Sequence, residues 1–223
     1  MIRNIAGVAA GAFLALAAAC APARADMRFR VVSISGSTPC GAHCAMAIAA
    51  DGDITDSTAA EFVAFVKENA GRQNLHSVVL LNSPGGKVVG AMDFGRVLRR
   101  IGALAIVARA MEDPEGAEHI AQGRCFSACV YALMGGRKRI IPAKSLVGIH
   151  RMFAVENAVD PAGGSMVERR FDNGDMRNVI AKYSAEMGVS RELINKAERV
   201  STDTIHLVSP QEIARWRLGS SRF

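Results

Sequence analysis

Short apolar segments alternate with amphipathic ones along the first half of the chain. Four of them predict strands: 28–34, which alternates and is rich in β-branched residues, and the short apolar runs over 45–50, 77–81 and 103–107. Two other segments place apolar residues three or four positions apart. They predict one helix opened by a capping box at Thr58 and Glu61, and a second helix over 88–100 that ends at Gly102. Strands that alternate with helices predict an α/β fold with mainly parallel strands and right-handed crossovers.

The second half of the chain continues with shorter elements. Segment 112–122 is acidic and contains proline and glycine, so we predict a loop that leads from the strands to an apolar helix after Gly123. Further strands are predicted over 137–141, 145–149 and 203–208, helices over 176–187 and 191–200, and a polar excursion over 154–175. Ser209 and Glu212 match a second capping box, with proline at the first helical position, and predict a final helix.

The first 25 residues match a secretory signal peptide. They combine a positive charge at Arg3, an apolar stretch over 8–19 that is short for a membrane span, and a small-x-small cleavage site that ends at Ala25. No linker divides the rest, so we expect a single domain over 26–223 that is exported to the periplasm or secreted. The alternative is lipid attachment at Cys20, but Ala17, three positions before it, is smaller than the aliphatic residue usual there.

The net charge does not indicate a nucleic-acid partner. The sequence has 27 Lys and Arg against 21 Asp and Glu, a net charge of +6. Residues 1–25 hold two arginines and no acid, so the exported chain carries +4. Its arginines are scattered along the sequence, as expected for solvated helix ends and turns rather than for a basic stripe.

The exported chain has an even number of cysteines, as two pairs with three residues between the members of each pair: Cys40 with Cys44, and Cys125 with Cys129. Outside the cytoplasm this predicts disulfides, and four cysteines allow three connectivities, of which the two local bridges are one. A zinc site of four thiolates is the other arrangement, but the spacers are three residues long, and the one between Cys125 and Cys129 lacks the turn glycine that such sites usually contain.

A nucleophilic serine is the chemistry that best fits the centre of the sequence. Ser127 lies where a glycine turn gives way to an apolar helix, and a helix N-terminus stabilises a developing anion. Gly85 and Gly86 follow a buried strand directly, so they can adopt positive φ and turn their N–H groups outward as an oxyanion hole. The strand over 145–149 is followed at once by His150, a candidate base. The alternative for Ser127 is a small helix residue that only fills space.

These segments together resemble the Clp-protease proteolytic subunit, within the wider Clp/crotonase superfamily. The resemblance rests on Asp53 followed by a helix, Asn82-Ser83-Pro84-Gly85-Gly86, Gly123-x-x-x-Ser127, Ile149-His150 and the closing Val208-Ser209-Pro210-Gln211-Glu212-Ile213. It covers about residues 45–219 at low identity. It implies a Clp/crotonase-like spiral of ββα units with mainly parallel strands.

The resemblance also implies roles for individual residues. Ser127 matches the nucleophile of the family and His150 its general base, while the backbone N–H groups of Gly86 and Ala128 match its oxyanion hole. The third catalytic member of the family corresponds in register to Ile205, two positions from Asp203. A two-residue offset keeps a strand side chain on the same face, so Asp203 is the expected third member. Asp172, Asp175 and a plain serine-histidine pair are the alternatives.

The predicted function is therefore a secreted serine peptidase that hydrolyses peptide bonds through an acyl-enzyme. We expect a peptide or protein substrate, no metal and no organic cofactor. The ATPase partner of the family is not expected, because ATP is absent outside the cytoplasm, whereas self-association is consistent with the resemblance. The alternative from another class is a binding or assembly protein that kept the fold and lost turnover. An acyl-CoA enzyme of the crotonase type is disfavoured by the extracellular address.

Overall fold

The computed structural model describes residues 25–34, 44–72, 74–114, 118–159, 165–172 and 174–222. The predicted signal peptide before residue 25, with Cys20, and the position of Cys40 lie outside the described residues. The described strands are β1 (Arg28–Ser33), β2 (Met46–Asp51), β3 (Leu75–Asn82), β4 (Leu104–Glu112), β5 (Glu118–Gln122), β6 (Arg124–Phe126), β7 (Lys138–Ile140), β8 (Leu146–Ile149), β9 (Ala154–Val159), β10 (Ser165–Arg170) and β11 (His206–Leu207). The described helices are α1 (Thr58–Asn69), α2 (Val88–Arg100), α3 (Cys129–Gly135), α4 (Asp175–Glu186), α5 (Glu192–Ala197) and α6 (Pro210–Arg215).

Parallel pairing dominates the centre of the main sheet. Its strands follow the order β1-β2-β3-β4-β5, and β7 also pairs with β4. The pairs β2-β3, β3-β4 and β4-β7 are parallel, whereas β1 and β5 run antiparallel to their neighbours. A smaller sheet has the order β11-β8-β6, in which β6 and β8 are parallel. The α/β class with parallel central strands, predicted from the alternation of elements, is confirmed.

Both faces of the main sheet are covered by apolar side chains. Val79 and Leu81 of β3 belong to the larger core with Phe62, whereas Leu80 between them faces a second, smaller core with Ile106. Burial on both faces explains why this strand is a continuous apolar run rather than an alternating one. The larger core lies between the sheet and the helices, and it holds the strands whose carboxyl ends carry the candidate site.

Two segments that were predicted to be loops form hairpins. Strand β4 extends to Glu112, and β5 returns beside it in antiparallel register. An acidic residue can lie in this strand because the carboxylate of Glu118 accepts hydrogen bonds from the Arg30 guanidinium and the Ser33 N–H, both at 2.8 Å. The excursion after residue 153 is likewise a hairpin of β9 and β10.

The two capping predictions had different outcomes. Ser209 and Glu212 form the predicted capping box at the start of α6, with Pro210 in its first turn. At α1, however, Ser57 is the N-cap residue and makes no capping hydrogen bond. The Thr58 hydroxyl instead accepts the N–H of Thr55 at 2.9 Å, so the predicted box at Thr58 is wrong. No helix within the described ranges is long and apolar enough to cross a bilayer.

Candidate functional site

Ser127 occupies a sharp turn between β6 and α3, with a left-handed backbone at φ 55°. Such a conformation costs a non-glycine residue about 1–2 kcal/mol, so the surrounding contacts must hold it in place. The N–H of Ser127 donates to the carbonyl of Gly148 at 2.9 Å, and its own carbonyl accepts the N–H of Val130 at 3.1 Å. A strand, a strained turn and a helix in this order present a nucleophile at the edge of a sheet.

The first of the two glycines after β3 lies directly against this turn, and the second lies against Ile54. Gly85 and Gly86 have φ values of 121° and 134°, which other residues adopt only with strain. A Cβ atom added at Gly85 would lie 2.8 Å from the Cβ of Ser127, so the absence of a side chain is what allows the close approach. The segment is held along β6 by a hydrogen bond from Phe126 N–H to the Ser83 carbonyl at 3.0 Å.

The backbone N–H groups of Gly86 and Ala128 are candidates for an oxyanion hole. Within the described part of the chain, neither of them donates a hydrogen bond to a protein acceptor. Their neighbour Gly85 differs, because its N–H donates to the Ser83 hydroxyl at 3.1 Å. Ala128 follows Ser127 in the chain, and Gly86 follows the glycine that lies against the Ser127 Cβ, so these two unpaired donors fit an anion that forms at Ser127 during reaction.

His150 follows β8 at the same end of the small sheet. Phe126 pairs with Gly148 in parallel register, so Ser127 and His150 lie just beyond the ends of two adjacent strands, which run about 4.8 Å apart. The Nδ1 atom of His150 lies 2.8 Å from the carbonyl oxygen of Arg151. A neutral imidazole that donates from Nδ1 keeps its Nε2 lone pair available to accept a proton. Among the described residues, neither Nε2 nor the Ser127 hydroxyl has a hydrogen-bond partner.

Asp203 is not brought to His150. The predicted strand over 203–208 is limited to β11, and Asp203 lies in the turn before it. Its side chain is 72% exposed and forms an ion pair of 2.5 Å with Arg169. The Arg169 guanidinium stacks on Phe153 with 5.0 Å to the ring centre, and the Phe153 ring lies 6.1 Å from that of His150. Within the described residues, Asp203 is therefore linked to the histidine through the side chains of Arg169 and Phe153 and not by a hydrogen bond of its own.

The other acidic alternatives have structural roles in the described residues. The carboxylate of Asp172 accepts the N–H groups of Gly174, Met176 and Arg177 at the start of α4, within 3.0 Å. Burial acts to raise its pKa, but these hydrogen bonds outweigh burial and lower the pKa. Asp175 lies in the first turn of the same helix.

Glu198 is a carboxylate that contacts both residues that follow the histidine. Its side chain is 13% exposed and lies 3.6 Å from Arg151 Nε. It also accepts the N–H of Met152 at 3.4 Å. Burial raises the pKa of Glu198, against the opposing effects of Met152 and Arg151. The Arg151 N–H in addition donates a hydrogen bond to the Val200 carbonyl at 3.0 Å. The Arg151 carbonyl, which accepts the hydrogen bond from His150, is therefore held by hydrogen bonds of the N–H groups before and after it.

One local disulfide is present at the site. Cys125 and Cys129 are bonded to each other, with 5.2 Å between their Cα atoms. Cys44 is disulfide-bonded as well, and Cys40 lies outside the described residues. Since two of the four thiols are joined in this way, the alternative of one zinc site with four thiolates does not apply to this state of the chain.

Two features of the site were not predicted. The carbonyl of Arg151 is a backbone group, which leaves no mark in a sequence. Gly148 had a detectable signal, because a glycine within a strand often marks a close approach of another group. A Cβ atom at Gly148 would lie 2.4 Å from Ile205 Cγ2 and 2.9 Å from Phe126 Cδ1.

Comparisons with known proteins bear on the fold. No protein-family model and no curated protein matches the chain. Among solved structures, the chain is similar to two of the 1510-N membrane-bound stomatin-specific protease, each 14% identical over 79% of this chain. One is a serine-to-alanine mutant, with a TM-score of 0.52 over 78% of that chain. The other is a lysine-to-alanine mutant in complex with a substrate peptide, with a TM-score of 0.51 over 74% of that chain. The chain therefore has a Clp-like serine protease fold, which agrees with the fold implied by the sequence resemblance.

Proposed function

We propose that this chain is a serine peptidase that cleaves peptide bonds through an acyl-enzyme on Ser127. The observation that carries the proposal is the left-handed turn of Ser127 against the positive-φ Gly85, beside the strand that His150 follows. The similarity to protease structures supports the fold of such an enzyme, while the roles of the residues are argued from their geometry.

Acylation begins with removal of the hydroxyl proton of Ser127. His150 Nε2 accepts this proton while Oγ forms a bond to the carbonyl carbon of the substrate peptide. The imidazolium then gives the proton to the amide nitrogen of the tetrahedral intermediate, the C–N bond breaks, and the amine leaves. A water molecule repeats the sequence on the ester, with His150 again as base, and releases the acid and free Ser127.

The negative charge of each tetrahedral intermediate resides on the former carbonyl oxygen. The N–H groups of Gly86 and Ala128 are the donors proposed to bind it. Ala128 is the residue after Ser127, Gly86 is the residue after the glycine that lies against the Ser127 Cβ, and neither N–H has a protein acceptor within the described residues. Removal of one such donor typically costs about 3–4 kcal/mol of transition-state stabilisation. Since both donors are backbone groups on restrained turns, they need no reorganisation during the reaction.

The orientation of the base is proposed to come from the main chain. In the well-studied triads a carboxylate accepts from Nδ1 and fixes the tautomer and the ring angle. Here the carbonyl of Arg151 lies at the corresponding nitrogen, 2.8 Å away, while Asp203 pairs with Arg169. We therefore assign the reaction to Ser127 and His150 without Asp203.

Export to the periplasm is part of the proposal. The signal peptide over 1–25 is a sequence prediction, and residues 1–24 of it lie outside the described residues. The disulfide of Cys125 with Cys129 supports an oxidising compartment. Self-association stays a prediction.

The peptidase activity is tested on a mixture of unstructured polypeptides, such as reduced and alkylated casein. New chain termini are mapped by mass spectrometry after incubation with the exported protein, with Ser127→Ala and with Ser77→Ala, which replaces an exposed serine near the start of β3, at the opposite end of that strand from Gly85 and Gly86. We expect new termini with the unaltered protein and the Ser77 variant, and none with Ser127→Ala. Intact substrate in all three reactions would contradict the proposal and favour a binding protein with the same fold.

A further inference from the structure

The Cys125–Cys129 disulfide encloses the candidate nucleophile. Cys125 is the central residue of β6, Cys129 is the first residue of α3, and Ser127 is the middle residue of the loop that the bond closes. Both cysteines are fully buried, whereas Ser127 is partly exposed. We infer that this disulfide positions the catalytic turn, so that the chain acts as a peptidase only while Cys125 and Cys129 are oxidised. The inference rests on the proposed function and adds a condition to it.

The turn that the disulfide closes has an unfavourable backbone. Among the described residues, Ser127 and Arg217 are the non-glycine residues with positive φ. A left-handed residue persists when its neighbours are fixed on both sides. The covalent bond restrains the chain on both sides of Ser127 at once, because it joins a strand residue two positions before the serine to the first helical residue two positions after it.

The same loop contains a proposed oxyanion donor. Ala128 lies between Ser127 and Cys129, so the nucleophile and one of the two N–H donors are held within a single small ring. The second donor, at Gly86, belongs to another segment, whose neighbour Gly85 packs against the Ser127 Cβ. A shift of the ring therefore changes the distance between the two donors as well as the position of the hydroxyl oxygen.

Reduction of the bond disturbs this packing directly. A dithiol reductant supplies two electrons and two protons, the S–S bond breaks, Cys125 and Cys129 become thiols, and the reductant becomes a disulfide. Two thiols separated by van der Waals contact need more room than one bond. Since both side chains lie in the core and Gly85 packs closely over the turn, that room comes from movement of the loop. Misplacement by about 1 Å in an active site can cost on the order of a hundredfold in rate.

Other contacts keep the fold intact when the bond is lost. Ser127 remains linked to Gly148, and Phe126 to Ser83, by backbone hydrogen bonds of 2.9 and 3.0 Å. Tyr131 and Leu133 of α3 are buried among residues of the larger core. We therefore expect a folded chain with a misplaced nucleophile rather than an unfolded one.

The test measures the reaction of Ser127 with a fluorophosphonate in the exported protein. The variant Cys125→Ala with Cys129→Ala is compared with Cys40→Ala with Cys44→Ala, which removes the other two cysteines of the exported chain. Circular dichroism and thermal melts establish that each variant is folded. We expect the first variant to lose about tenfold to a hundredfold in the maximal inactivation rate, with the probe concentration for half-maximal rate unchanged. The second variant is expected to stay within about twofold of the unaltered protein.

A second experiment, in which the Cys125–Cys129 bond is reduced and then reoxidised, distinguishes a bond that positions Ser127 from a bond that is needed for folding. The Cys40→Ala, Cys44→Ala protein is treated with dithiothreitol below its melting temperature, and thiols are located by alkylation and mass spectrometry. Labelling should fall as Cys125 and Cys129 become alkylatable and return when an oxidised dithiol restores the bond. If reduction instead abolishes the cooperative melt, the bond serves the fold and the inference is overturned.

The outcomes distinguish the inference from the proposed function. If Ser127 is labelled at the same rate after reduction, or in the variant with Cys125→Ala and Cys129→Ala, the inference is overturned and the peptidase proposal stands. Absence of labelling in the oxidised, unaltered protein counts against the proposed function itself.

Discussion

The backbone N–H of Ser127 donates a hydrogen bond of 2.9 Å to the carbonyl oxygen of Gly148. This bond continues the parallel ladder in which Phe126 pairs with Gly148, and it ties the candidate nucleophile to the strand that ends at His150. The separation of nucleophile and base is thereby set by strand pairing and not by the hairpin that follows the histidine. Gly148 permits the arrangement because Phe126 and Ile205 both lie where its side chain would be.

The first prediction concerns this glycine. Gly148→Ala adds a Cβ atom 2.4 Å from Ile205 Cγ2 and 2.9 Å from Phe126 Cδ1, so both side chains must move. Overpacking of this kind costs about 1–3 kcal/mol, and we expect a lower melting temperature together with slower labelling of Ser127. Because Ile205 makes the shorter contact, adding Ile205→Ala should restore part of both losses. If the double variant has the same melting temperature and labelling rate as Gly148→Ala alone, the contact with Ile205 is not the cause of the losses.

The second prediction concerns Asp203. Its exposed carboxylate pairs with Arg169, and surface ion pairs contribute about 0–1 kcal/mol. We expect Asp203→Asn to change the Ser127 labelling rate by less than about twofold, whereas loss of a true third triad member lowers kcat by about 10⁴-fold. Asp172→Ala is the informative comparison, because it removes the acceptor of three N–H groups at α4 and should lower stability without changing labelling. A large loss of labelling in Asp203→Asn would restore Asp203 to the site.

The third prediction is a pair of opposite pH dependences. Burial acts to raise the pKa of Glu212, but hydrogen bonds from Ser209 and His206 outweigh burial and lower it. A carboxyl whose folded pKa is lowered stabilises the fold above its unfolded pKa, near 4.3, and this contribution is lost as the pH falls through the folded value. Glu198 is the reverse case, since burial raises its pKa. Its contribution is present below the unfolded pKa and is lost as the pH rises through the folded one.

Thermal melts of Glu212→Gln and Glu198→Gln between pH 3 and pH 7 check these signs. The Glu212 variant should lose more stability at pH 7 than at pH 3, because its hydrogen bonds depend on the ionised carboxylate. The Glu198 variant should become more stable relative to the unaltered protein as the pH rises toward 7. Identical shifts of the two variants at every pH would show that neither carboxyl is perturbed as described.

Much of the fold could be predicted from the sequence because hydrophobic period and turn chemistry agree in the centre of the chain. The buried strand before Asn82, the glycine pair after it and the helix up to Arg100 all lie where the pattern places them. The hairpin of β4 and β5 was missed because the partners of Glu118 belong to β1, some 85 residues earlier in the chain. Composition alone describes such a segment as a solvated loop.

The candidate site also contains residues that could be predicted from the sequence and contacts that could not. Ser127, His150, Gly86 and Ala128 carry signals in residue type and order, so the sequence could place them near one another. The orientation of His150 depends on the Arg151 carbonyl, and main-chain acceptors have no residue signature. The expected position of Asp203 failed at the strand boundary, since β11 begins only at His206 and the argument from alternating faces does not extend into a turn.

The most direct measurement is the reaction of the exported, disulfide-intact protein with a fluorophosphonate, with the modified residue located by mass spectrometry. It is made in parallel on Ser127→Ala, on His150→Ala and on His76→Ala, which replaces an exposed histidine of β3. The account predicts one adduct on Ser127 in the unaltered protein and the His76 variant, none in Ser127→Ala, and a rate lower by about 10³-fold or more in His150→Ala. An adduct on another residue, or equal rates with and without His150, would contradict a serine nucleophile activated by that histidine.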